Sequence, residues 1–189
     1  MNLHPQDVVV VLKLVASHDA SRRWTYAELS KDLFMSASQV FRSVNRAEMA
    51  RLLNAPTLPP PPSREQQEKD RRVWLWPNKA NIKEFMIHGV KYAFPAERGG
   101  PTRGLPTAEA APPLNQHFSA DFALPSVWPH AAGPFRGIAF SPLHKNVPAA
   151  AMRDVKLYEL LALVDAIREG RAREREIAIK ELSARIDSE

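Results

Sequence analysis

The sequence predicts an α+β fold, mainly helical, with a small β-hairpin. Three features predict it. The stretch "TYAELSKDLFMSASQVFRSV", Thr25 to Val44, holds two helix starts eleven residues apart. Short apolar runs such as Val90–Phe94 and Gly137–Phe140 sit among turn residues and read as strands. The clearest helical stripe is in the tail, where Leu157, Leu160, Leu161, Val164 and Ile167 recur on one face.

His4-Pro5 starts the first helix, with proline at a position that needs no N–H. Val8, Val11, Leu12 and Val15 form its apolar face. Val8 to Val11 are all β-branched and would also suit a short buried strand. Leu12, Lys13 and Leu14 favour the helix. Thr25 with Glu28, and Ser36 with Gln39, are capping boxes, in which hydroxyl and carboxyl or amide satisfy each other's backbone N–H. One helix therefore starts after Thr25 and another after Ser36. Leu29 and Leu33 face the core from the first, and Val40, Val44 and Ala47 from the second.

"APTLPPPPS" cannot be helical, because proline lacks the N–H and clashes with the preceding turn. Residues 54–72 read as a proline-rich and charged linker or exposed excursion, with Pro59–Pro62 in extended polyproline form. A strand over Val73–Trp76 follows, then a helix over Ile82–His88 capped by Asn81 and ended by Gly89. Val90–Phe94 alternates apolar and polar and predicts a strand. "PAERGGPTRG" predicts a turn carrying Arg98 and Arg103, with a return strand near Leu105–Ala108. Residues 105–135 lack periodicity, although Phe118, Phe122, Trp128 and Phe135 point to packing. Gly170 can end the first tail helix, and Arg171–Ile186 continues as a second. The expected division is 1–110 and 111–189.

The chain has 189 residues, a net charge of +5 and a pI near 9.7. The charge is uneven: +2 over 1–53, +4 over 63–105, neutral over 106–145 and −1 over 146–189. The positive excess therefore lies on and after the two-helix stretch, a weak pointer to nucleic acid. With no cysteine there are no disulfides, thiolate zinc sites or cysteine nucleophile, and the expected compartment is the cytoplasm. No apolar run is long enough to span a membrane. No two of the six histidines stand at i, i+3 or i, i+4, so neither metal nor cofactor is expected. No nucleophile elbow, P-loop or dinucleotide fingerprint occurs. Ser141–Asn146, which holds Ser, His and Lys, reads as a loop, and the chain is not expected to be an enzyme.

Two capped helices joined by a tight turn form a helix-turn-helix, whose second helix enters the major groove of DNA. Outward residues of that helix must then be donors, acceptors or cations. Ser38, Gln39, Arg42, Ser43 and Arg46 meet that need, and Ser36 with Ser38 suits phosphate contact near the helix start. At these residues the chain resembles bacterial winged helix-turn-helix transcriptional regulators. Leu29 and Ser30 fall where the family usually has Leu-Ala, Ser36 at its usual cap and Val40 at its usual core position. Phe34 replaces the usual turn glycine and Ser30 the usual small alanine. The resemblance implies a hairpin wing, here Val90–Phe94 with Leu105–Ala108, which would put Arg98 and Arg103 on the DNA backbone or minor groove.

The expected function is sequence-specific binding of double-stranded DNA as a regulator, a repressor by covering a promoter. The tail stripe Leu157–Ile167 either pairs two subunits or packs on the core. The homodimer would set two reading helices about 34 Å apart on an inverted repeat. Another function class fits the same residues: an interaction module, antitoxin-like or accessory to a defence system, whose partner protein is encoded nearby and docks on the proline run and tail. A solvated polar face on a plain helical domain would also look like the second helix.

Overall fold

The computed structural model describes residues 2–17, 24–55, 63, 72–118 and 124–188. Helix α1 (Pro5–Ala16) begins where proline and the Asp7 carboxylate allow, since Asp7 accepts the His4 backbone N–H at 2.8 Å. It does not bury one face alone: every residue from Asp7 to Ala16 is buried. Helices α2 (Tyr26–Leu33) and α3 (Ala37–Met49) follow. The strand β1 (Leu53–Asn54) then pairs antiparallel with β2 (Trp76–Pro77), and a bridge joins Thr25 to Arg72. The Val73 N–H donates to the Trp24 carbonyl at 2.8 Å. The chain is thus paired on both sides of residues 56–71. The proline run Pro59–Pro62 lies outside the described residues.

The strand expected at Val90–Phe94 is helix instead. Asn78, not Asn81, caps α4 (Lys79–Glu84), accepting the Asn81 N–H at 3.2 Å. The chain continues through one π-helical turn, Phe85–Gly89, into α5 (Val90–Ala93). Ile82, Met86 and Val90 recur every four residues and all lie at zero exposure. A wide turn keeps that spacing on one face, which the ordinary 3.6-residue turn would let drift. Gly89 therefore does not end the helix.

The turn expected at Gly99-Gly100-Pro101 is also overturned. Arg98–Pro106 forms one strand, β3, irregular between Arg98 and Pro101. It runs antiparallel to both β4 (Ser126–Pro129) and β5 (Phe135–Phe140), which also pair in parallel at Ser126–Val127 and Ile138–Ala139. Three strands can meet this closely because Gly104 has no side chain: a Cβ there would run into the Trp128 carbonyl. The expected hairpin of Val90–Phe94 with Leu105–Ala108 does not form, since its first arm is α5 and Leu105 belongs to β3.

Helix α6 (Val147–Ala151) leads into α7 (Val155–Glu169), capped by Asp154, and α8 (Ala172–Ser188). Gly170 follows α7 in extended conformation, its N–H bonded to the Ala166 carbonyl at 2.7 Å. Residues Leu160 to Arg168 of α7 are buried on all sides, packed by α1, α5, α6, α8 and the 3-10 turn Ala108–Ala110. The stripe Leu157–Ile167 is therefore spent on the chain's own core and offers no face for the expected dimer. A boundary at residue 110 does not divide this core either. One apolar cluster runs from Val8 through Leu53, Met86 and Trp128 to Ile186.

Candidate nucleic-acid interface

Both capping boxes form. Thr25 Oγ1 accepts the Glu28 N–H at 3.1 Å, and Glu28 Oε2 accepts the Thr25 N–H at 2.8 Å. Ser36 Oγ accepts the Gln39 N–H at 3.2 Å, and Gln39 Oε1 accepts the Ser36 N–H at 2.9 Å. Between them Phe34 ends α2 in the left-handed region, φ 53° and ψ 35°. That is the conformation glycine adopts without strain, and a bulky residue there needs support. Ser30 supplies part of it: its hydroxyl donates to the Met35 carbonyl at 2.7 Å, and its carbonyl accepts the Met35 N–H at 3.1 Å. The Asn146 side-chain amide donates to the Phe34 carbonyl. The Arg153 guanidinium lies 4.2 Å from the Phe34 ring centre.

Helix α3 divides into two faces. Val40, Ser43, Val44 and Ala47 are buried against the core. Ser43 therefore does not face a groove. Its hydroxyl accepts from Gln6 Nε2 at 3.3 Å and from the Arg46 guanidinium at 3.3 Å. Arg46 is also taken up internally. It forms a two-point pair with the fully buried Asp7 of α1, Nε to Oδ2 at 2.7 Å and Nη2 to Oδ1 at 2.6 Å. Hydrogen bonding to Asp7 raises the Arg46 pKa further, against the opposing effect of burial. Ser43 and Arg46 thus tie α3 to α1.

The outer face carries Ser36, Ala37, Ser38, Phe41 and Arg42, all exposed. Arg42 has no partner among the described residues. Gln39 is half-buried, and its amide oxygen is held by the cap. To hold an adenine edge through two bonds it would have to release Ser36. Phe41 joins this face without a signal in the polar pattern: it is 39% exposed, edge-on to Tyr26 at 5.4 Å between ring centres. Burial, then the charge of Glu48, pushes the Tyr26 hydroxyl up to about 12, so it stays neutral.

Arg98 and Arg103 do not sit on a hairpin tip. Both belong to β3. Arg98 donates to Glu169 at 3.2 Å and to the Ser126 hydroxyl at 3.2 Å, and lies over the Phe140 ring. Arg103 is exposed, stands opposite Arg136 on β5, and reaches the Gly133 carbonyl at 3.4 Å. Strand β1 follows α3 within a few residues, and its antiparallel partner β2 comes later in the chain, at Trp76–Pro77.

Among the described residues no group of three His, Asp or Glu could hold a metal ion, and no helix is long and apolar enough to cross a membrane. No family model matches this chain, and neither a curated protein nor a solved structure matches it.

Proposed function

We propose that the chain is a sequence-specific regulator that binds double-stranded DNA through a winged helix-turn-helix, with α3 in the major groove. The single observation that carries this is the division of α3. Its inner face is clamped to α1 by Asp7, while Ser36, Ser38, Phe41 and Arg42 project together into solvent. Base reading needs a rigid helix with an open edge of donors and a cation free to bond, and Arg42 has no partner among the described residues. Phe41 adds an apolar group suited to a thymine methyl.

Support for the wing comes from chain order. A strand-like bridge at Thr25 precedes α2, β1 follows α3, and β2 returns beside it. The base of a hairpin in the wing's chain position is thus β1–β2. Repression by occupying a promoter is the simplest outcome. A dimer on an inverted repeat would have to use a surface other than the α7 stripe.

The test is Arg42→Ala. Its binding to a duplex selected by the parent should weaken by about 1–3 kcal/mol, with relaxed preference at one base position, read by competition against single-base variants. Parent-like affinity and preference would remove Arg42 from the groove.

A further inference from the structure

We propose that Lys145 and Arg153, from the C-terminal half of the chain, bind phosphates of the same DNA interface. This rests on the reading of α3 given above. The C-terminal half reaches the helix-turn-helix at its turn. Asn146 holds the Phe34 carbonyl, Arg153 stacks near the Phe34 ring, and α6 packs on α2. Phe34 lies two residues before Ser36, where α3 begins, so Lys145 and Arg153 stand beside the entry of the reading helix. Both are exposed, and neither has a carboxylate partner among the described residues.

The neighbouring acids offset these cations only in part. Asp32 and Asp154 are both engaged by the buried Lys13 ammonium, at 2.9 and 2.7 Å, and Asp154 also caps α7 by accepting the Leu157 N–H at 3.0 Å. Lys156 lines the same cleft as these groups and Arg153. Lys31 on α2, three residues before Phe34, is exposed as well. Without Lys156, four cations, Lys13, Lys31, Lys145 and Arg153, stand around the turn against the two carboxylates of Asp32 and Asp154. Phe34, in place of the glycine usual in the resembling family, gains a role: its ring gives Arg153 a surface to rest on, which glycine cannot. Cations placed beside α3 rather than on its outer edge meet backbone before bases. They set position and affinity without reading sequence.

The experiment measures binding to a selected duplex and to an unrelated duplex between about 50 and 200 mM salt. It compares the parent, Arg42→Ala, Lys145→Gln, Lys145→Gln/Arg153→Gln and Arg103→Gln/Arg136→Gln. For every phosphate deprived of its cation, the slope of log affinity on log salt should flatten by about 0.9. Lys145→Gln should show one such step and the double variant two, equally on both duplexes. Lys145 has no hydrogen-bond or carboxylate partner among the described residues, so its single variant reads the phosphate bond even if Arg153→Gln disturbs the turn. The Arg103/Arg136 variant removes the same charge from the sheet and should leave the slope unchanged. An unchanged slope in the Lys145 variants overturns the proposal, as does an equal flattening in both charge-matched pairs. Loss of base preference in Arg42→Ala would then leave the groove reading standing. A parent that binds no duplex overturns both.

Discussion

Replacing Asp165 with alanine should lower stability by about 3–5 kcal/mol, the usual result of removing one partner from a buried ion pair. Asp165 lies on α7 and is 1% exposed. One carboxylate oxygen accepts from Trp128 Nε1 at 2.6 Å and from the Thr107 hydroxyl at 2.9 Å, and the other from Arg168 at 2.6 Å. Burial pushes its pKa up, and the Arg168 charge, then the hydrogen bonds, pull it back. Arg168 is itself buried and donates onward to the carbonyls of Phe94 (2.8 Å), Ser141 (3.2 Å) and Pro95 (3.3 Å). This one carboxylate therefore joins α7 to the end of β3, to β4, and to the turns after α5 and β5. Alanine leaves a buried cation and two buried donors without their acceptor. The urea midpoint should fall far below the parent's. Asp165→Leu with Arg168→Met should recover part of the loss, because an apolar pair leaves no charge stranded. A single variant that melts like the parent would show that the network does not hold α7 to the strands and turns around it.

The second large effect is expected at Asp7→Ala, about 3 kcal/mol. Asp7 is fully buried, binds Arg46 at two points and caps α1 through the His4 N–H. Its removal leaves Arg46, whose side chain is only 21% exposed, facing a serine and a gap. The seat of α3 on α1 should loosen, so duplex affinity should fall although Asp7 touches no DNA. Denaturation of Asp7→Ala, Arg46→Ala and the double variant measures the tie. A coupling of about 1–3 kcal/mol is expected. Additive effects would mean that Asp7 and Arg46 act separately.

Features carried by neighbours in sequence are legible from sequence. Each capping box uses residues three apart, and both form. The burial of Ser43 is also within reach, for it stands three after Val40 and four before Ala47, on the inner side of the wheel. Its polarity suggests the outside. The fate of Arg46 is not legible, because its partner Asp7 lies 39 residues away. Val90–Phe94 misleads because five alternating residues fit a strand as well as the end of a helix. The four-residue repeat of Ile82, Met86 and Val90 is the better signal, and the π turn that serves it has no mark in the sequence. Gly99-Gly100-Pro101 reads as a turn for local reasons, whereas β4 and β5, both distant, draw it into a strand. The tail stripe is apolar as its spacing indicates, but periodicity does not say whether a face meets its own chain or another.

The most direct measurement is selection of bound duplexes from a random pool at about 0.15 M salt. If α3 reads base edges, one short motif should be enriched, with contrast at the positions under Arg42 and Phe41, and that contrast should be lost in Arg42→Ala. A pool that emerges as random as it entered, or that is not retained at all, would contradict base reading by α3.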